Sequence, residues 1–137
     1  MDSRLLSNRK FWLTALMFYM ALICALSLKP AKDTGGTALQ EIIHNLCHVP
    51  AYAGLTFIAI GVLKVYGVKS TVFLKTFCFS VFYGVLLEYL QGFVPGRTPS
   101  LLDVSLNAFG ALGMIFLIHQ GFMKKFLPIS NNTNSYI

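Results

Sequence analysis

The chain has 137 residues, which fits a single domain, and its composition excludes a soluble globular protein. Hydrophobic residues make up 55% of the sequence and charged residues 12%, which is far too apolar for a water-soluble domain of this length. No nucleic-acid-binding motif accompanies the net charge of +6, so we attribute the charge to membrane topology and to anionic lipid headgroups. The sequence predicts an integral membrane protein without a nucleic-acid partner.

Four apolar stretches are long enough to cross a membrane. A helix rises about 1.5 Å per residue and the hydrocarbon core is about 30 Å thick, so about 20 apolar residues span it. The predicted spans are residues 11–28, 46–63, 71–91 and 102–123. A cleaved signal peptide is the alternative for the first stretch, because Ala25-Leu26-Ser27 resembles a cleavage site, but the length of the apolar run favours an uncleaved anchor.

The fold class is therefore predicted to be all-α, an integral membrane four-helix bundle over residues 11–123. Residues 1–10 are expected to be a cytoplasmic N-terminus, and residues 124–137 a flexible cytoplasmic tail. With the N-terminus inside, eight lysines and arginines flank the spans on the cytoplasmic side, and only Lys29, Lys32 and Arg97 lie in outer loops. Because basic residues favour the cytoplasmic side, we predict that both termini are inside.

The first outer loop contains a predicted short amphipathic segment. Residues 37–40 fit a helix capping box, and apolar residues then recur at helical spacing, so we expect this segment to lie on the outer membrane surface. Pro50 is a candidate kink at its junction with the second span. His44, His48 and Tyr52 share one face only if the helix continues through Pro50, because proline disfavours helical geometry in the preceding residue.

Polar and charged residues collect near one end of the predicted bundle, on its outer side. We name these residues the polar layer: His48, Glu88, Gln91, Arg97, Asp103 and Asn107. Ionisable groups near hydrocarbon are costly unless they are paired or hydrated. The layer is therefore either a functional site or a hydrogen-bonded network that fixes helix packing.

Two members of the layer have competing structural interpretations. Ser100 and Asp103 have the spacing of a second capping box, so Asp103 would then only cap its own helix. Pro95-Gly96 suits a type II turn that presents Arg97, and an arginine at this depth can also be a cation that extends from the loop to the membrane interface.

The sequence predicts no metal and no other cofactor. His44 and His48 have the spacing of a zinc-binding pair, but no glutamate lies between them in the metalloprotease pattern, and only Glu88 and Asp103 are placed to add ligands. Three cysteines occur at unrelated spacings and are expected to be small buried hydrophobic residues, neither a metal cluster nor a disulfide framework: Cys24, Cys47 and Cys78.

The polar positions resemble the pattern of the VanZ-like membrane proteins. That pattern is His-x-x-x-Tyr, Glu-x-x-Gln, an arginine and Asp-x-x-x-Asn-x-x-Gly, in this order. The matching residues here extend over about sixty positions: His48, Tyr52, Glu88, Gln91, Arg97, Asp103, Asn107 and Gly110. The resemblance implies a multi-pass protein of the bacterial plasma membrane, in some members linked to lowered susceptibility to teicoplanin-type antibiotics. Many relatives carry Asp-Lys where this chain has His44-Asn45.

Three functional hypotheses remain open. In the first, the layer binds an anionic amphiphile, a membrane lipid or lipid-linked envelope intermediate, through Arg97, Gln91, Asn107 and Tyr52. In the second, the protein is a structural or accessory subunit for envelope proteins, and its polar residues only lock helix packing. In the third, His48, Glu88 and Asp103 are catalytic and perform acid–base chemistry on a lipid-linked substrate. A transporter of soluble substrates is disfavoured, because the sequence has no internal repeat.

Overall fold

The computed structural model describes residues 8–30 and 38–128, and this part of the chain is helical without any strand. Four long helices occur in order, followed by one short 3-10 helix: α1 (Arg9–Ser27), α2 (Ala38–Val65), α3 (Val72–Gln91), α4 (Leu101–His119) and Lys124–Phe126. Each long helix contains a stretch of suitable length and apolarity to cross a membrane. The all-α fold with four candidate membrane spans is therefore confirmed.

The second helix corrects the prediction of a separate amphipathic segment in the first loop. α2 is continuous from Ala38 through Pro50 to Val65, and the candidate span within it is Asn45–Val65. A proline removes one backbone hydrogen bond, but breaking the helix would expose several backbone groups to hydrocarbon, so continuity is favoured. His48 and Tyr52 consequently share one helical face. Thr37, the predicted cap, lies outside the described residues, as does most of the predicted tail.

The helices alternate in direction, as two contacts at opposite ends of the bundle show. At one end, the Arg9 Nε–H at the start of α1 donates to the carbonyl of Val65, the last residue of α2, at 3.2 Å. At the other end, the Gln91 Nε2–H of α3 donates to the carbonyl of Ser27, the last residue of α1, at 3.2 Å. We call the Gln91 side the polar end. The orientation of the bundle across the membrane remains a prediction.

Glycines set the close approaches between helices. Trp12 and Tyr19, seven residues apart on α1, lie against Gly61 and Gly54, seven residues apart on α2, where an added Cβ would collide with each ring. In the same way, a Cβ on Gly110 of α4 would collide with the backbone carbonyl of a residue on α2. Small residues let membrane helices pack closely without a hydrophobic driving force between them. These contacts therefore determine how α1 and α4 are rotated toward α2.

The outer surface of the bundle is apolar. Large hydrophobic side chains point away from the interior, and Phe18, for example, is 69% exposed. Cys47 and Cys78 are also exposed on this surface, whereas Cys24 is half-buried, so the prediction that all three cysteines are buried was wrong. The physical reason is that a membrane helix turns apolar residues toward lipid as readily as toward its neighbours. Apolar character therefore does not predict burial in such a bundle.

Candidate functional site

The connection between α3 and α4 is a tight turn that positions Arg97. The Arg97 backbone N–H donates to the Val94 carbonyl at 3.1 Å, and Gly96 has a φ of 75°. This is a type II turn, which requires a positive φ at its third residue and therefore favours glycine there. The prediction from Pro95-Gly96 is confirmed. The half-buried Arg97 side chain then donates from Nε to the carbonyl of Lys29 at 3.2 Å, which joins the turn to the end of α1.

The start of α4 is capped by its own N-cap residue, Ser100, and by a side chain of α3. The Ser100 hydroxyl oxygen accepts a hydrogen bond from the Asp103 backbone N–H at 3.3 Å, which is half of a capping box. The other half would be a bond from the Asp103 carboxylate to the Ser100 N–H. Instead, Oε2 of Glu88 on α3 accepts that N–H at 2.9 Å. Glu88, which is only 4% exposed, thereby ties the end of α3 to the beginning of α4.

The Asp103 carboxylate is consequently not used to cap Ser100. Asp103 is 8% exposed, and its Oδ1 atom accepts no hydrogen bond from the residues that the structure describes. Buried polar atoms in native proteins nearly always have a partner, and an exception calls for a specific explanation. The capping interpretation of Asp103 therefore accounts for its backbone N–H but not for its side chain.

His48 is oriented by Asn107 across the interface of α2 and α4. Nδ1 of His48 and Oδ1 of Asn107 lie 2.9 Å apart. An amide oxygen only accepts hydrogen bonds, so Nδ1 carries the proton and, in the neutral ring, Nε2 carries the lone pair. The buried Asn107 needs the space that Gly84 leaves, because a Cβ at Gly84 would come within 2.8 Å of the amide nitrogen.

Three residues far apart in sequence bring potential ligand atoms together at the polar end. One ring nitrogen of His48, one carboxylate oxygen of Glu88 and one of Asp103 lie within 4.8 Å of one another. Both acids are buried and His48 is half-buried. Such a cluster has the groups needed either to move a proton or to coordinate a cation. We call it the acidic cluster.

A cavity of about 310 Å³ lies beside the acidic cluster, between α1, α2 and α3. Its lining is mainly apolar and includes Ile23, Leu26 and Ala51, while His48 and Gln91 contribute polar atoms. His48 thus belongs both to the cavity wall and to the acidic cluster. The wall also contains Ser27, Cys47 and Tyr52, and the Tyr52 side chain is buried.

The structure places the residues predicted from the sequence in two linked groups. His48, Glu88, Asp103 and Asn107 surround the acidic cluster, while Tyr52 and Gln91 line the cavity with His48. The sequence did not indicate the contribution of α1, which supplies part of the cavity wall and the Ser27 carbonyl that holds Gln91, or that of Lys29, just after α1, whose carbonyl holds Arg97. Every residue has a backbone carbonyl, so residue types do not show which carbonyls accept hydrogen bonds from side chains.

The model of a known family, VanZ/LLP1, matches residues 11–124 of this chain. The chain belongs to the VanZ/LLP1 family. The resemblance to VanZ-like proteins that the polar residues indicate is thereby confirmed. The matched region of this VanZ/LLP1 protein contains the complete polar layer. Comparison with curated proteins and with solved structures finds no significant match. Family membership and four candidate spans together support a multi-pass membrane protein.

Proposed function

We propose that this VanZ/LLP1 protein binds an anionic amphiphile, with the headgroup at the polar layer and apolar atoms in the adjoining cavity. The ligand class is a membrane lipid or a lipid-linked envelope intermediate in the bacterial plasma membrane. The observation that carries the proposal is the cavity of about 310 Å³, which has apolar walls and includes His48 and Gln91. Ligand sites combine apolar lining with a few polar groups that orient the ligand.

The size and position of the cavity support partial enclosure of such a ligand. Small-molecule sites measure roughly 300 to 1,000 Å³, so this cavity accommodates a headgroup and the first part of a chain, not an entire lipid. Leu26 lines the cavity and is also 51% exposed on the outer surface of α1. A hydrocarbon chain can therefore leave the cavity along α1 and enter the surrounding membrane.

Arg97 supplies the positive charge of the site. A guanidinium recognises phosphate or carboxylate through paired N–H groups and remains charged at any physiological pH. The bond from Nε to the Lys29 carbonyl holds the side chain at the polar end and reduces the entropy that it would lose on binding. The acidic cluster nearby has groups that could transfer a proton to or from a bound ligand.

The competing function is that of an accessory subunit whose polar residues lock the bundle. Three hydrogen bonds favour it, since each joins two segments of the chain: Glu88 to Ser100, His48 to Asn107, and Gln91 to Ser27. A network that serves only packing is expected to satisfy its buried polar atoms. The Asp103 Oδ1 atom, which has no hydrogen-bond partner among the described residues, and the adjoining cavity therefore favour a ligand site.

The link of some VanZ-like proteins to teicoplanin-type resistance supports an envelope lipid as the ligand. We propose that the polar end faces the outer leaflet and that ligand binding there affects susceptibility to these antibiotics. The distribution of lysine and arginine around the spans supports this orientation. An envelope protein that uses the same lipid is the partner class expected from this function.

Lipid extraction and mass spectrometry of the detergent-purified protein test the proposal. The informative variant is Arg97→Gln, and Arg9→Gln is its matched control, because Arg9 also donates from Nε to a helix-end carbonyl at 3.2 Å, but at the opposite end of the bundle. We expect one anionic lipid class to copurify with wild type and Arg9→Gln and to be depleted several-fold in Arg97→Gln. Identical lipid profiles in all three proteins would contradict the proposal.

A further inference from the structure

The acidic cluster has the composition of a metal site. We propose that His48, Glu88 and Asp103 bind one divalent transition-metal ion, with Zn²⁺ the best match. Imidazole nitrogen and carboxylate oxygen are common zinc ligands, and three protein ligands are the usual number where a coordination position stays open. The proposal does not depend on lipid binding and replaces the expectation from sequence that no metal is bound.

The spacing of the donor atoms suits a single ion. Zinc binds nitrogen and oxygen ligands at about 2.1 Å, so neighbouring ligand atoms of a tetrahedral site lie roughly 3.4 Å apart. The three donor atoms here lie within 4.8 Å of one another. Rotations about side-chain bonds that move the ligand atoms by about 1 Å would therefore bring all three to zinc-binding distance, and the helices would not have to move.

The unpartnered oxygen of Asp103 is an independent indication of a ligand. The residue is more than nine-tenths buried, and Oδ1 accepts no hydrogen bond from the described residues. In a complete capping box the Asp103 carboxylate would accept the Ser100 N–H, but Glu88 accepts it instead. A buried carboxylate oxygen without a donor is unfavourable, and a metal ion at the cluster would supply the missing partner.

Asn107 gives His48 the support that is typical of metal-binding histidines. Such a histidine usually donates its second ring N–H to a carbonyl or carboxylate, which fixes the tautomer and the ring orientation. Here Nδ1 lies 2.9 Å from the Asn107 amide oxygen, which leaves the lone pair on Nε2. Gly84 provides the space for that amide. Asn107 would thus orient His48 as a metal ligand.

The charges also favour a cation. Glu88 and Asp103 bring two carboxylates into a small volume among apolar helices, and Arg97 is the single formal positive charge in the polar layer. Like charges at this separation are destabilising in surroundings of low polarity. A divalent ion would convert the net charge of the layer from negative to positive. The open coordination position of the metal ion would then accept an oxygen of the anionic headgroup in the lipid complex proposed above.

Metal binding is measured on the full-length protein in detergent, without added lipid and after removal of any affinity tag. The protein is treated with a chelator, dialysed, and titrated with Zn²⁺, Mn²⁺ and Mg²⁺ by calorimetry, with metal content determined by mass spectrometry. We expect one Zn²⁺ per chain and a rise in melting temperature. We expect binding to weaken at least tenfold in Asp103→Asn and in His48→Gln, and about 10- to 100-fold in Asn107→Leu.

The matched control is His119→Gln, which removes an exposed histidine from the other end of α4. It should bind Zn²⁺ like wild type. Absence of saturable binding by wild type, or equal binding by folded Asp103→Asn and wild type, would overturn the proposal. Circular dichroism and size-exclusion chromatography establish whether each variant is folded.

A second measurement needs no variant. X-ray absorption at the zinc edge of the wild-type complex should show oxygen and nitrogen ligands with the scattering of one imidazole. Sulfur ligands would instead assign the metal to a cysteine and overturn the proposal. If wild type binds no metal but lipid still copurifies in an Arg97-dependent way, the metal site alone is rejected. The reverse result would reject the lipid proposal alone.

Discussion

Glu88, in the last turn of α3, accepts the backbone N–H of Ser100 at 2.9 Å, and it thereby takes the position that Asp103 would occupy in a complete capping box. This exchange connects two helices across the turn that carries Arg97. It also leaves the Asp103 carboxylate available, buried and beside His48. This contact therefore explains why Glu88, and not Asp103, ties the end of α3 to the start of α4.

Removing the charge of Glu88 should affect function more than folding. In Glu88→Gln the amide oxygen can still accept the Ser100 N–H, so we expect less than about 1 kcal/mol of destabilisation, whereas Glu88→Leu leaves that N–H without its acceptor and should cost about 1 to 3 kcal/mol. We expect both variants to lose any protection against teicoplanin that wild type confers, because neither side chain can take part in proton transfer. Thermal unfolding in detergent and growth under teicoplanin at equal expression distinguish the two effects. A large loss of stability in Glu88→Gln would favour a purely structural network.

Asp103→Asn should lose function while remaining stable. The backbone N–H that Ser100 accepts is unchanged, and the carboxylate makes no capping bond to the Ser100 N–H, so we expect a smaller loss of stability than in Glu88→Leu. Growth under teicoplanin, compared at equal expression, should show that Asp103→Asn has lost any protection that wild type confers. Full protection by this variant would argue that the Asp103 charge has no functional role.

His48 and Asn107 should be energetically coupled. Their side chains are in direct contact, and residues in one hydrogen-bonded network commonly show about 0.5 to 3 kcal/mol of non-additivity. A double-mutant cycle of His48→Gln and Asn107→Leu, measured by unfolding, should give a value in this range. The control cycle pairs Asn107→Leu with His119→Gln, which lies at the opposite end of α4 and should be additive. Equal additivity in both cycles would show that the contact contributes nothing.

Alanine substitutions at two glycines of α4 should have opposite effects on stability. The Cβ in Gly110→Ala would collide with the Val49 carbonyl on α2, so we expect about 1 to 3 kcal/mol of destabilisation. At Gly113 an added Cβ would meet no described atom within 4 Å apart from its chain neighbours and the backbone of its own helix, so Gly113→Ala should be neutral or stabilise by up to about 1 kcal/mol through helix propensity. Melting temperatures of the two variants provide the comparison. Equal effects would mean that α2 and α4 are not in close contact at Gly110.

The predicted orientation can be tested with single cysteines on a background that lacks Cys24, Cys47 and Cys78. Thr98→Cys, in the α3–α4 turn, should react with a membrane-impermeant reagent applied from outside. Lys69→Cys, in the connection of α2 to α3, should react only after the membrane is permeabilised, because the distribution of basic residues places it inside. Labelling of intact cells at Lys69→Cys but not at Thr98→Cys would reverse the orientation.

The sequence by itself determined the four spans, the type II turn at Gly96 and the family. Each of these depends on properties that add up along a short stretch of chain, such as apolar length, the positive φ that glycine accepts, or the spacing of polar residues. The sequence also identified the polar layer, because charged residues are conspicuous among apolar ones. It predicted that these residues would lie at one end of the bundle, and the described residues do so.

Only the tertiary structure decided which partner each polar group has. The capping of Ser100 by Glu88, the orientation of His48 by Asn107 and the cavity beside α1 all depend on the rotation and offset of neighbouring helices. Those quantities follow from close packing at glycines such as Gly61 and Gly110, where a contact between distant residues determines the fit. Continuity of α2 through Pro50 has a similar origin, because intact helical bonding in an apolar setting outweighs the local preference of proline.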